Sequence, residues 1–306
     1  MRPTWSLLVC TLLACSPAST LPPRVVPTDA APLSSVPVGV AAVHFHTIEV
    51  DVSGETTQAI LDTGIGLALI SQALCDRLAC ESDGEFSGQR MSGQTVTLPL
   101  TTLDSLSVGG VVQYDVPAGI VDIEGFFPEP QIEAFVGLPF FENQPFTLDP
   151  NSASLIVESE GSLAARQDAG ESLDVRLERH GVALDIFVPV TLGDGVPAEM
   201  LMDTGSAGIT LDLRYAEALG VDLEGEGVES RVGQDETAHR YTRYFTTLDA
   251  PLAFSPRHRR SGLRAMFQDI IHDGLIGVEL MSQFVITYDL PNARVIVAPR
   301  VDARPL

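Results

Sequence analysis

Two copies of the tripeptide Asp-Thr-Gly, Asp62-Thr63-Gly64 and Asp203-Thr204-Gly205, are the residues of this chain best suited to chemistry. They lie 203 − 62 = 141 positions apart in 306 residues, a little under half the chain. Two carboxylates held close together cannot both ionise easily, so one keeps a proton near neutral pH. Such a pair can activate a water with one member and donate a proton with the other. One Asp-Thr-Gly alone is ordinary turn chemistry, because Asp and Gly are common turn residues. A shared site therefore requires that the elements around both copies repeat.

They do repeat. Ile48–Val52, Ser53-Gly54 and Thr57–Leu61 precede the first triad; Phe187–Leu192, Gly193-Asp194-Gly195 and Ala198–Met202 precede the second. Both read as a β-hairpin with a Gly-containing turn, its second strand ending on the Asp. Leu67–Ile70 and a helical stretch over Gln72–Leu78 follow the first triad. Ile209–Leu211 and a second helical stretch, Leu213–Leu219, follow the other, with Gly220 as its C-cap.

Further along, Thr101-Thr102-Leu103-Asp104 recurs as Thr246-Thr247-Leu248-Asp249, and Phe135-Val136-Gly137 is echoed by Leu275-Ile276-Gly277. Phe146–Asp149 matches Val285–Asp289, and Ser154–Val157 matches Ala293–Val297. The Gly offset is 277 − 137 = 140, close to that of the triads. A long period with one order of elements in each copy is duplication. The expected architecture is all-β and bilobal, two similar barrel-like lobes with a few short helices.

With an apolar-apolar-Asp-Thr-Gly and a later apolar-Gly in each half, the chain resembles the aspartic peptidases, pepsin-like and retropepsin-like, over roughly residues 41–300. Lobes this short and poor in aromatics look more like the retropepsin-like bacterial members. The resemblance implies that Asp62 and Asp203 are catalytic and that the triads meet across a pseudo-two-fold axis. It implies that Thr63 and Thr204 interlock, that Gly64 and Gly205 permit close backbone approach, and that the apolar-Gly strands cross behind the catalytic loops. It implies a hairpin flap over the cleft, for which Phe86–Thr95 is the candidate, with a plain surface loop as the alternative reading. Ser206 follows the second triad and can hydrogen-bond a carboxylate; Ile65 follows the first and offers no side-chain donor. On that asymmetry Asp62 is expected to carry the shared proton. The resemblance also implies a small disulfide between Cys75 and Cys80; the alternative is two free buried thiols. No metal and no cofactor are implied, and two Cys without a nearby His pair fall short of the usual zinc set.

Composition narrows the classes. A hydrophobic content of 45% is ample for two cored lobes. Net charge is −23 and all 18 basic residues are Arg, so a Schiff-base or P-loop lysine is unavailable to this chain. The same deficit of basic surface argues against nucleic-acid binding. There is no nucleophile-elbow serine motif.

Arg2 followed by the short apolar run Trp5–Ala14 reads as a signal segment. Its end, Leu12-Leu13-Ala14-Cys15, resembles the lipobox of bacterial lipoproteins, which implies cleavage before Cys15 and acylation of that Cys. Ordinary cleavage near Ala18 is the alternative. Cys10 would leave with the signal, and Ser16, not an Asp, points by analogy to outer-membrane sorting. The expected organisation is a signal segment 1–14, a disordered Pro-rich tether 15–40, a first lobe 41–160, a connector 161–171 and a second lobe 172–306.

Two functions compete at this level. One is an exported, lipid-anchored, monomeric aspartic endopeptidase acting on polypeptides, at the outer or periplasmic face of a bacterial envelope. The other is a non-catalytic peptide-binding lipoprotein of the same fold, for which Ile65 speaks and the two intact triads do not. The basic cluster Arg257-His258-Arg259-Arg260 with Arg264 reads as a solvated loop, or as a contact for acidic substrate or lipid head groups. His44 and His46 read as neighbours on one strand face without metal, and His239, Tyr241 and Tyr244 as edging the second lobe's cleft.

Overall fold

The computed structural model describes residues 31–123, 132–234 and 239–301. The signal segment 1–14, Cys15, Ser16 and the start of the tether lie outside the described residues. The all-β, bilobal expectation holds: an eight-stranded sheet forms the first lobe, a ten-stranded sheet the second, and a six-stranded sheet joins them.

Each lobe is built outward from its hairpin. Strand Phe45–Val52 pairs with Glu55–Leu61 through a two-residue turn, where Ser53 (φ 49°) and Gly54 (φ 94°) take the left-handed conformations such turns demand. Strand Ala183–Leu192 pairs with Val196–Met202 in the same way across Gly193–Gly195. Each second strand ends in an unbroken buried run, Ala59-Ile60-Leu61 and Met200-Leu201-Met202, because both its faces are covered.

The covering comes partly from the apolar-Gly strands. Ile132–Val136 runs parallel to Glu55–Leu61, and Gly274–Ile276 runs parallel to Val196–Met202. Val136 then accepts the Asp62 N–H at 3.0 Å, and Ile276 accepts the Asp203 N–H at 3.0 Å. The following residue must be Gly for want of room. A Cβ on Gly137 would lie 2.6 Å from the Leu67 carbonyl, and one on Gly277 would lie 2.5 Å from the backbone oxygens of Ser206 and Gly208, just after the second triad.

The joining sheet is symmetrical. Strands Ser154–Val157 and Phe146–Asp149 come from the first half, Phe284–Asp289 and Arg294–Pro299 from the second, with Phe146–Asp149 and Phe284–Asp289 paired at the centre. Across that seam the Phe146 and Tyr288 rings stack at 4.5 Å, and the Thr147 and Thr287 hydroxyls bond at 2.7 Å. Both rings are fully buried, which stabilises the union by roughly 2–3 kcal/mol each.

Three expectations need correction. The tether was expected to run to residue 40, yet Ser34–Pro37 is an edge strand of the joining sheet and Gly39–Ala41 pairs with Phe45–Thr47. Val36 and Ala41 are buried, and Pro37 sits at an edge where its missing N–H costs nothing. The polar connector holds a helix, Glu160–Ala169, started by a capping box between Ser159 and Ser162. The stretch after the second triad forms two 3-10 turns, Leu213–Tyr215 and Glu217–Leu219, although Gly220 (φ 70°) caps it as expected. A segment this short gains too few bonds to favour an α-helix over tighter turns. Its counterpart Gln72–Leu78 is an α-helix, capped by the Ser71 hydroxyl and closed by a Cys75–Cys80 disulfide. Among the described residues no helix is long and apolar enough to cross a membrane.

Candidate active site

The two hairpins end face to face, and their loops are locked together by backbone. Thr63 Oγ1 donates to the Met202 carbonyl at 2.7 Å, and Thr204 Oγ1 donates to the Leu61 carbonyl at 2.7 Å. The Thr63 N–H donates to Thr204 Oγ1 at 2.9 Å, and the Thr204 N–H to Thr63 Oγ1 at 3.1 Å. Both threonines are buried, so these bonds are made away from water, where losing a partner is expensive.

Locked loops bring the carboxylates together. Asp62 Oδ1 accepts the Gly64 N–H at 2.9 Å, and Asp203 Oδ1 accepts the Gly205 N–H at 2.8 Å. A Cβ on Gly205 would lie 2.5 Å from Asp62 Oδ2, and one on Gly64 would overlap Asp203 Oδ1. Each carboxylate thus fills the space a side chain would need on the opposite loop.

Burial is the largest influence on both acids and raises both. Asp203 is held well above the ordinary carboxylate range, with the Asp62 charge as the second cause. The backbone N–H groups of Gly64, Ile65 and Gly205 favour ionised Asp62 and moderate its rise. The pair therefore keeps one proton near neutral pH, shared between two coupled carboxyls. Ile65 supplies a backbone donor in place of the missing hydroxyl. Ser206 turns its hydroxyl to the Gly208 carbonyl at 3.5 Å and reaches Asp203 only through its own N–H.

The two acids lie in a cleft of about 1140 Å³ that runs between the lobes. Phe86–Thr95 is the tip region of a hairpin, Gly84–Gln89 against Thr95–Val108, and it lines the cleft. Its tip crosses to the other lobe, where the Met91 carbonyl accepts the Ile271 N–H at 2.9 Å. Met91 also packs on the apolar cluster of Phe187, Leu201, Ile270 and Leu275. A second hairpin, Glu229–Gln234 against Arg240–Leu248, faces the cleft with Gln234, Tyr241 and Arg243. The residue reading missed it. Carrying the Thr101/Thr246 offset (246 − 101 = 145) back from Thr95 lands on Arg240, the start of this hairpin's second strand.

Other candidates separate. Tyr241 lines the cleft, Tyr244 packs against the main core, and His239 is not among the lining residues. His44 stands in the turn before the first strand, where its Nε2 meets the Gly205 carbonyl at 3.2 Å. His46 is held below the ordinary imidazole range by burial and then by His44. Of the basic cluster, Arg257, Arg259 and Arg264 are exposed as a solvated loop requires, while His258 and Arg260 turn inward. His258 is buried against Ser255 and Glu171, Arg260 binds Gln283 over the Phe284 ring, and Arg264 pairs with Glu279.

Two carboxylates sharing a proton under a lid, fixed from both sides, can activate a water and protonate a leaving group. The sequence model of a family described as aspartyl protease matches residues 48–140 and again 188–280. No curated protein matches the chain.

Proposed function

The chain belongs to the aspartyl protease family, and from that premise we propose that it is an aspartic-type endopeptidase in which Asp62 and Asp203 act as one unit. The observation that carries this reading is the reciprocal fit of the loops, in which Gly205 leaves room for Asp62 and Gly64 leaves room for Asp203.

An extended polypeptide lies in the cleft and pairs its main chain with the hairpins that border it. A water held between the carboxylates loses a proton to the ionised member of the pair as its oxygen bonds to the scissile carbonyl carbon. The proton on the other member passes to the carbonyl oxygen. On collapse the amide nitrogen takes a proton and leaves, and the pair returns to its singly protonated state. One chain supplies both loops, so a monomer suffices.

The protein also fits export and attachment to a bacterial envelope membrane by a lipid on Cys15. Support comes from the Arg2, Trp5–Ala14 and Cys15 pattern and from the Cys75–Cys80 disulfide, which suits an oxidising compartment. Mass spectrometry of membrane-extracted protein should find diacylglycerol on Cys15; an unmodified N-terminus beyond it contradicts this.

The test of the catalytic reading is cleavage of a mixed peptide library from acid to neutral pH. Wild-type protein should cut internal bonds and Asp62→Asn should not. Tight peptide binding without cleavage at any pH would leave a binding protein of this fold instead.

A further inference from the structure

Strand Ala183–Leu192 carries Asp185 into the cleft beside the first catalytic loop. A Cβ on Gly66 would lie 3.4 Å from Asp185 Oδ1. The neighbouring strand Arg176–His180 places Glu178 directly opposite Asp185, and both side chains line the cleft. Like charges so placed repel each other across an antiparallel pair.

The cations nearby are committed to Glu178. Arg176 bonds Glu178 and, through Nε, Glu199 at 2.9 Å, while its guanidinium lies 4.1 Å over the Phe187 ring. His180 Nε2 meets Glu178 Oε1 at 2.9 Å. Asp185 has no hydrogen bond and no ion pair among the described residues, although it is half-buried. Burial pushes its carboxyl up to about 6, with the His180 charge opposing and the Glu178 charge adding. A carboxylate held out of water without a donor is unfavourable until a cation or donor reaches it.

We propose that Asp185, with Glu178 opposite, forms a subsite for one cationic side chain, Arg or Lys, of the polypeptide that occupies the cleft. The proposal rests on reading the cleft as a peptide site. An incoming guanidinium or ammonium supplies the missing donors and relieves the repulsion between the two acids. A neutral side chain there would seal Asp185 from water unpaired, and an acidic one would be repelled, so selectivity arises from both attraction and rejection.

The test uses matched peptides differing at one position, Arg, norleucine or Glu, scanned along the peptide, with Arg against norleucine as the ratio read for the unsubstituted subsite. Binding is measured by fluorescence anisotropy to full-length protein carrying Asp203→Asn, so that peptides stay intact. At one position the Arg peptide should bind at least tenfold tighter. Adding Asp185→Asn should bring the ratio near one, and Asp185→Arg should reverse it in favour of Glu. Asp194→Asn, in the exposed hairpin turn, controls for net charge and should leave the ratio unchanged. Thermal unfolding checks that each variant is folded. No preference at any position, no binding at all, or a preference that survives Asp185→Asn overturns the subsite. Failure of wild-type protein to cleave would count against the peptidase reading alone, since the binding ratio does not depend on cleavage.

Discussion

Thr63 and Thr204 each receive the other's backbone N–H on a side-chain oxygen, at 3.1 and 2.9 Å, and each donates its own hydroxyl proton into the opposite lobe. Thr63→Val keeps the shape but leaves the Met202 carbonyl and the Thr204 N–H buried and unpaired. At about 1–3 kcal/mol for each of the two orphaned groups, the loss should be about 2–6 kcal/mol by denaturant unfolding. Thr63→Ser, which keeps the hydroxyl, should recover most of it.

Gly205→Ala should separate stability from activity. The new Cβ meets Asp62 Oδ2 at 2.5 Å, and the carboxylate must swing away from its partner. A displacement of that order should lower kcat/KM at least 10²-fold. Circular dichroism should stay that of the folded protein, because the strands on either side are untouched.

The raised carboxyls predict a pH dependence of stability with a definite sign. The folded pair holds one proton well above the ordinary carboxylate range, so it binds that proton more tightly than the unfolded chain does. The resulting stability is complete at low pH, below the ordinary range, and is lost as pH rises through the folded-state value. Asp203→Asn removes the proton uptake that folding requires at neutral pH and should raise the Tm at pH 7 while leaving it unchanged at pH 3. Asp185, pushed to about 6 with Glu178 and His180 facing it, has the same sign. Asp185→Asn should add roughly 1–2 kcal/mol at pH 8 and nothing at pH 3.

The hairpin over the cleft is latched by the Met91 carbonyl and the Ile271 N–H. Met91→Gly removes the side chain that packs on Phe187, Leu201, Ile270 and Leu275. Amide exchange at Ile271 should then speed up at least tenfold, with little change at Ile276, which lies in the core strand.

Much of this molecule was legible because the duplication wrote it twice. The hairpins, the crossing strands and the central strand pair all fall where the repeated patterns place them. What escaped notice had no apolar period to mark it. Ser34–Pro37 buries one side chain, Val36, inside a stretch rich in Pro and Ser, so composition outweighed it. The helix Glu160–Ala169 lies on a polar stretch whose glycines read as loop, and its start depends on a serine pair. The second cleft hairpin mixes aromatic with polar residues on both faces, Tyr241 and Phe245 on one and Tyr244 on the other, so no alternating apolar face marks it. At the site, the residues were legible but their electrostatics were not. The rise of both carboxyls depends first on burial and then on which backbone N–H groups point at them, and the side chains of Ile65 and Ser206 say little about that.

The central claim is that Asp62 and Asp203 work as a single unit built from both lobes. It is tested most directly by kcat/KM on one cleaved peptide for wild-type protein, Asp62→Asn, Asp203→Asn and the double variant. The account predicts that each single change lowers kcat/KM by at least about 10³-fold and that the double variant is no worse than either single one, as expected for groups acting together. Losses that multiply in the double variant, or a single variant that keeps a tenth or more of the activity, would contradict it.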